Sequence, residues 1–210
     1  MNGPRLVRAR ADVAVWEAGE GDPVLVLHGF PDAPIGMRPL VDRLVAGGWR
    51  CLVPALPGYL PSQPVDSYRT ADVARDMLAV LDAYGIERAP VVGHDWGARA
   101  SYIAAGLAPD RITHCVGISV GYGTNSPSQA LSLQQVQNYW YHWLMHTPRG
   151  ADAVRNDRVG ITRYLWKVWA PSWTIDEDEF MATAQAFNNP DWADVVLHSY
   201  THRWGSAPSD

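Results

Sequence analysis

An aspartate stands at the centre of residues 93–97, Gly-His-Asp-Trp-Gly, between an apolar run typical of a buried strand and a run typical of a helix. A strand-to-helix turn this tight requires glycine at both ends, here Gly93 and Gly97, because a side chain there would collide with the neighbouring backbone. The turn raises the central side chain into a cleft beside the helix N-terminus, where a carboxylate is stabilised. A carboxylate in that place can attack an electrophilic carbon and form an ester with it. We therefore predict that Asp95 is a nucleophile and not merely an N-cap residue of the helix.

A second turn, His28-Gly29-Phe30-Pro31, also follows an apolar, strand-like run. Hydrolysis of an enzyme ester passes through a tetrahedral intermediate, whose oxyanion needs fixed donors. We expect the backbone N–H groups of Phe30 and Trp96 to supply them, because the residue after an elbow nucleophile normally donates in this way. Pro31 is expected to keep the turn rigid, and its peptide bond is of the kind that can be cis.

The histidines of the two turns, His28 and His94, are candidates for a catalytic base. We expect each of them instead to pack or hydrogen-bond within its own turn. The histidines of the predicted cap, His142, His146, His198 and His202, have no cysteine or carboxylate at a spacing typical of a zinc site. His198 and His202 are four residues apart and can share a helix face, but such a pair is more often solvated or packed. We therefore expect neither a metal nor a cofactor.

Taken together, the two turn motifs resemble the α/β-hydrolase branch that contains the epoxide hydrolases and the haloalkane dehalogenases. The similarity runs from about residue 6 to residue 204, and both motifs stand at the ends of predicted strands, in the order that this fold requires. It implies an α/β-hydrolase fold, in which a mostly parallel sheet is covered by helices on both faces and carries an inserted helical cap. Alternating strand and helix patterns along residues 24–120 favour the same parallel α/β architecture.

The resemblance also implies two acids for epoxide opening, because epoxide hydrolases use two cap tyrosines. Tyr141 in Trp140-Tyr141 and Tyr200 in Ser199-Tyr200 match these tyrosines. A phenol suits the task, since it stays protonated at neutral pH and can donate to a developing alkoxide. The competing interpretation of both residues is ordinary aromatic packing, because Trp143 and Trp204 are close in sequence.

The chain divides into three predicted parts, namely residues 1–121 as the N-terminal part of the hydrolase core, 122–204 as the helical cap and 205–210 as a tail. Helical patterns in the cap cover 134–145, 151–169 and 176–187. The resemblance places a catalytic histidine after the last strand and its acid partner after the seventh, and neither of these strand–helix units is present. Residues 119–123, where some dehalogenases carry the acid, contain no carboxylate. We therefore expect the nucleophile without the groups that activate water.

Three alternatives to an epoxide hydrolase remain open at this point. One is a haloalkane dehalogenase with the same nucleophile, although Phe30 stands where many dehalogenases carry a halide-binding asparagine. Another is a non-catalytic or truncated hydrolase-fold module that binds a ligand. A third is a split enzyme that a second polypeptide completes. An unpaired sixth strand seeks a partner, which favours a homodimer or a second chain covering that edge.

Composition limits the function classes further. The 210 residues are 47% hydrophobic with a net charge of −5, which predicts a globular enzyme and gives no basic surface for nucleic acid. No apolar run is long enough to span a membrane, and the charged N-terminus does not resemble a signal peptide, so we expect a cytoplasmic protein. Cys51 and Cys115 lie in predicted strands and are expected to be free, buried thiols. The aromatic cap predicts a small apolar substrate.

Overall fold

The computed structural model describes residues 3–122 and 130–204, and within them six strands form one sheet. The strand order is β1-β2-β4-β3-β5-β6. Strands β3 to β6 run parallel to one another, whereas β2 is antiparallel to both β1 and β4. The strands are β1 (Arg5–Arg8), β2 (Asp12–Ala18), β3 (Asp22–Leu27), β4 (Trp49–Pro54), β5 (Ala89–His94) and β6 (Ile112–Ile118).

The sheet is covered on both faces, as the continuous apolar runs predict. Successive side chains of a strand point to opposite faces. In β3, Leu25 and Leu27 join one apolar cluster, while Val24 and Val26 join the other. All four are buried. This double coverage explains why the strand carries apolar residues at consecutive positions.

Three α-helices cover the sheet, namely α1 (Arg38–Ala46), α2 (Thr70–Ala83) and α3 (Trp96–Leu107). A short 3-10 helix, Pro34–Met37, leads into α1. Val41 of α1 is buried in the cluster that contains Val24 and Val26, whereas Met77 of α2 is buried in the opposite cluster. The helices therefore lie on both sides of β3, with α3 following β5 directly.

Residues 133–203, the segment predicted to be the cap, form helices whose bounds differ from the predicted ones. The predicted 134–145 is two helices that meet at Tyr139, and the predicted 151–169 is two helices that meet at Asp157. The Asp157 side chain accepts a hydrogen bond from the Gly160 N–H at 2.8 Å and so caps a new helix. The cap helices are α4 (Leu133–Asn138), α5 (Trp140–Met145), α6 (Pro148–Asn156), α7 (Arg158–Trp169), α8 (Glu177–Ala184), the 3-10 helix Gln185–Asn188 and α9 (Trp192–Arg203).

Cap and core share one apolar cluster. Trp192, Val196 and Tyr200 of α9 belong to the same cluster as the β3 and α2 residues. Polar contacts join the two parts as well, since the Trp166 indole N–H donates to the Pro31 carbonyl at 2.9 Å. The sequence pattern did not predict a helix over residues 192–203. The helix there, α9, is nevertheless the cap element that is buried most deeply against the core.

The sixth strand, β6, is half exposed. It ends at Ile118, because Ser119 has a φ of +69° and turns the chain away. Within the described residues β6 pairs with β5 alone, and Val116 is 51% exposed. Both cysteines are free, as predicted. Cys51 is buried, whereas Cys115 is only half-buried. The predicted tail at 205–210 and part of the stretch 119–123 lie outside the described residues.

None of the helices within 3–122 and 130–204 is both long enough and apolar enough to cross a bilayer. Over the same residues, no group of three or more histidine, cysteine or acidic side chains could hold a metal ion.

Candidate active site

Asp95 occupies a sharp bend between β5 and α3. Its backbone has φ +51° and ψ −111°, a conformation that residues other than glycine rarely adopt. The bend is held at both ends, because the Asp95 N–H donates to the Ile118 carbonyl and the Asp95 carbonyl accepts from the Arg99 N–H, each at 3.1 Å. The surrounding structure thus imposes a strained conformation on a residue that the sequence predicts to be reactive.

Three glycines leave the space that this bend needs. A Cβ on Gly93 would lie 2.3 Å from the Gly97 carbonyl oxygen, and a Cβ on Gly97 would lie 2.5 Å from the His28 carbonyl oxygen. A Cβ on Gly29 would lie 2.6 Å from the Cβ of Asp95. Each distance is far below van der Waals contact, so the two predicted turns are packed directly against each other.

The second turn provides a backbone donor to the aspartate. The Phe30 N–H donates to Asp95 Oδ1 at 2.9 Å, across 65 residues of sequence. The Trp96 N–H belongs to the first turn of α3, where amides have no partner within the helix. It makes no hydrogen bond to the Asp95 carboxylate among the described residues. The Phe30–Pro31 peptide bond is cis. One carboxylate oxygen is therefore bound by the backbone, while Oδ2 lacks this donor.

A cavity of about 740 Å³ lies over Asp95, between the core turns and the cap. Its volume is in the range typical of small-molecule sites. Aromatic side chains from α5 and α7 line it, and so do several charged groups. The polar and aromatic residues that line it include Asp32, His94, Asp95, Arg99, Tyr141, His142, Trp169, Glu179 and Arg203.

The two cap tyrosines meet, but only one of them lines this cavity. The rings of Tyr141 and Tyr200 are 5.6 Å apart in an edge-on arrangement. Tyr141 lines the cavity with Asp95, whereas Tyr200 is fully buried behind it and packs against Phe30 and Trp96. The Tyr200 hydroxyl makes no hydrogen bond within the described residues, although the Tyr141 hydroxyl is close enough to interact with it.

Both tyrosines are held in the protonated form. Burial raises the pKa of Tyr141 and of Tyr200, and the negative charge of Asp95 raises both further. A neutral phenol beside a carboxylate nucleophile is able to donate a proton when negative charge develops on a substrate oxygen.

His28 is a structural residue of its turn. Its Nε2 accepts from the Leu56 N–H at 3.0 Å, so its Nδ1–H donates to the Gly29 carbonyl oxygen at 3.1 Å. Burial lowers the pKa of His28 to about 4, which keeps the ring neutral. His94, by contrast, lines the cavity next to Asp95.

Sequence reasoning missed two groups of this site that come from the core. Asp32 follows Pro31 directly, and its Oδ1 accepts from the Ala33 N–H at 2.7 Å. Burial raises the pKa of Asp32 to about 7, with smaller contributions from Glu179 and Asp95. Arg99 is four residues after Asp95, a spacing at which a helix brings side chains to one face. This spacing from Asp95 is visible in the sequence and could have predicted that Arg99 lies near the site.

The cap contributes two more groups that were missed, His142 and Arg203. The Trp204 indole N–H donates to His142 Nδ1 at 2.9 Å, which places the imidazole proton on Nε2. Burial, with the charges of Arg203 and Arg99, lowers the pKa of His142 to about 2, so the ring is neutral. Arg203 lies three residues after Tyr200, with its guanidinium 5.0 Å from the centre of that ring.

Relatives of this chain are found among epoxide hydrolases. The chain is 38% identical to the epoxide hydrolase of Caballeronia sordidicola, over 88% of this chain and 60% of the relative. It is 40% identical to epoxide hydrolase B of Mycobacterium tuberculosis (strain H37Rv), over 49% of this chain and 30% of the relative. Even in the longer of these two matches, the chain covers only 60% of the relative's length.

Solved structures have the same fold. A candidate epoxide hydrolase from Klebsiella pneumoniae superposes with a TM-score of 0.89 at 28% identity, over 99% of this chain and 72% of that one. The epoxide hydrolase of Vigna radiata gives a TM-score of 0.78 at 23% identity, over 97% of this chain and 73% of that one, which shows the fold alone.

The family itself is assigned from the pattern of the whole domain. Residues 22–194 match the alpha/beta hydrolase fold family, which is most of the chain. The predicted fold class is confirmed by this match and by the structural neighbours. This chain belongs to the alpha/beta hydrolase fold family.

Proposed function

We propose that this chain carries the nucleophile of an epoxide hydrolase, and that this nucleophile is Asp95. The observation that supports it best is the hydrogen bond from the Phe30 N–H to Asp95 Oδ1, at the floor of a cavity that Tyr141 also lines. A carboxylate with one oxygen held by the backbone and an acid above it has the groups that epoxide opening requires. The similarity to epoxide hydrolases supports the same choice.

In the first step Asp95 Oδ2 attacks a ring carbon of the epoxide. A bond forms between Oδ2 and that carbon, the carbon–oxygen bond of the ring breaks, and its electron pair goes to the ring oxygen. The Tyr141 hydroxyl gives this oxygen its proton, and the product is a hydroxyalkyl ester of Asp95. The Tyr200 hydroxyl, buried behind Tyr141, stabilises the tyrosinate by hydrogen bonding and does not touch the substrate.

In the second step the ester is hydrolysed by water. Asp95 Oδ1 has become the ester carbonyl oxygen, and the Phe30 N–H is in place to stabilise the negative charge that develops on it. The Trp96 N–H is the second donor in this proposal. We assign no base for this step among the described residues; His28 is unsuited to it, because the ring is neutral and both of its nitrogens are hydrogen-bonded. Without a base from another segment, the ester accumulates.

Mass spectrometry of the intact chain after incubation with styrene oxide tests this proposal. We expect one epoxide to add per chain. Asp95→Asn should lose the adduct, whereas Asp32→Asn, which changes the other core carboxyl of the cavity, should keep it. A chain that stays unmodified, or an adduct that survives in Asp95→Asn, would contradict the proposal.

One observation favours a haloalkane dehalogenase as the second candidate. The indole N–H of Trp96 is buried and has no hydrogen-bond partner within the described residues. Such a group can bind a departing halide, although Trp96 does not line the cavity. Release of bromide from 1-bromobutane, measured with a halide-sensitive assay, distinguishes this function, because an epoxide hydrolase without halide donors should release none above the rate of Asp95→Asn.

A further inference from the structure

Two arginines line the cavity from different parts of the fold. Arg99 projects from α3 in the core, and Arg203 is the last residue of α9 in the cap. A partly buried arginine such as Arg203 normally has a carboxylate partner, as in the pairs Arg10–Asp76, Arg50–Glu17 and Arg111–Asp82 of this chain. Within the described residues Arg203 forms no ion pair with a carboxylate and lies against the face of Tyr200.

We propose that Arg99 and Arg203 bind a carboxylate of the substrate, so that the molecule opened by Asp95 is an epoxide with an apolar body and an anionic end. This inference rests on the proposed epoxide chemistry and specifies its substrate class. It also modifies the expectation of a purely apolar substrate, because the aromatic lining accounts for only part of the cavity. Guanidinium groups suit a carboxylate, since their N–H groups match its two oxygens.

The charges around the two arginines support an anion at this place. Burial lowers the pKa of Arg99 to about 10, and the charge of Arg203 lowers it further, while Asp95 acts in the opposite direction. Two positive groups that share a partly desolvated cavity repel each other, and an anion between them offsets that cost. His142, which lies beside them, is neutral and supplies no competing charge.

Acidic groups elsewhere in the cavity orient such a substrate. Asp32 and Glu179 line the cavity too, and Glu179 raises the pKa of Asp32 after burial does. The charge of Glu179 acts on Asp32 and that of Arg203 acts on Arg99, while Asp95 acts on both. A carboxylate would be repelled from Asp32 and Glu179 and attracted to the arginines.

A matched pair of epoxides tests the proposal. We would measure the rate of Asp95 esterification by trans-3-phenylglycidate and by trans-3-phenylglycidamide, which differ in charge but not in shape. The acid should react faster than the amide by about 10- to 100-fold, as expected for one to two charge-assisted hydrogen bonds. Arg203→Gln should lower this ratio at least tenfold, Arg203→Lys should keep part of it, and Arg149→Gln, an exposed cap arginine outside the cavity, should keep all of it.

Binding of unreactive analogues separates this inference from the proposed function. Isothermal titration with 3-phenylpropanoate and 3-phenylpropanamide should show the same preference for the anion and the same loss in Arg203→Gln. If both epoxides esterify Asp95 at equal rates, the anion site is wrong and the epoxide chemistry stands. If neither epoxide reacts but the anion preference remains and depends on Arg203, the epoxide chemistry is wrong and the anion site stands. A wild-type chain with no preference in either measurement overturns the inference.

Discussion

At the scale of single residues, the site depends on glycines that allow two backbone turns to touch. Gly29 approaches the Asp95 Cβ and the Trp96 nitrogen so closely that even a methyl group has no room. The hydrogen bond from the Phe30 N–H to Asp95 Oδ1 exists only because of this approach. The position of the Asp95 carboxylate against the second turn therefore depends on a residue that has no side chain.

Replacing Gly29 with alanine should separate the two turns and impair the site. We expect Gly29→Ala to destabilise the chain by about 1–3 kcal/mol, as overpacking does, and to slow esterification of Asp95 at least tenfold. Gly106→Ala is the matched control, because a Cβ there meets nothing within 4 Å and alanine favours the helix. Urea unfolding and intact-mass kinetics measure the two effects, and equal behaviour of both variants would refute the packing argument.

Asp32 makes the stability of the folded chain depend on pH. Its pKa is about 7 in the folded chain and 3.8 without the fold, so the folded chain binds more protons between these values. The free energy of unfolding should therefore fall as the pH rises from about 4 to about 7. Asp32→Asn removes this loss and keeps an oxygen for the Ala33 N–H, so it should be more stable than the wild type at pH 8, by on the order of 1–3 kcal/mol, and nearly equal at pH 4. Urea unfolding at both pH values measures this, and a stability difference independent of pH would rule the explanation out.

How far these residues could be predicted depends on how local their geometry is. The elbow at Asp95 was predictable, because its glycines and flanking runs lie within a few residues of one another. Arg203 and His142 were not, since only the packing of α9 against α5 brings them to the cavity. The exclusion of Tyr200 from that cavity is likewise a property of packing, which no short motif encodes.

At the scale of helices and strands, the sequence predicted helices within residues 134–187 but not where they divide. Periodicity alone favoured one helix over 151–169, whereas Asp157 ends one helix and caps the next. The signal was present, because aspartate is a preferred N-cap residue. Helix α9 carries Tyr200 and Arg203 to the site and packs its buried face on the core. Apolar and polar residues are not separated onto two faces of α9, because most of its surface is buried.

Removing the N-cap side chain of α7 should lower the stability of the fold and leave esterification of Asp95 unchanged. Asp157→Ala is expected to lower the free energy of unfolding by about 1 kcal/mol, because the Gly160 N–H loses its acceptor. Asp152→Ala, an exposed aspartate inside α6, is the control and should change stability little. Thermal or urea unfolding compares the two, and an equal loss in both would show that charge, and not capping, is responsible.

At the scale of the whole molecule, the chain combines a cavity over Asp95 with a sheet edge that is half exposed. Val116 and Ile118 on β6 are 51% and 38% exposed, and β6 has one partner strand within the described residues. The expectation of a homodimer or a second chain on this edge stays a prediction. The fold class could be predicted because two turn motifs require the strands that precede them and the helices that follow.

The location of the ester tests the account most directly. After reaction with styrene oxide, proteolysis and tandem mass spectrometry of the chain should place the adduct on Asp95, in the peptide that contains residues 93–97. Asp95 should carry it because that carboxylate lies at the floor of the cavity with one oxygen held by the Phe30 N–H. An adduct on Asp32, Glu179 or His142, with Asp95 unmodified, would contradict the central claim.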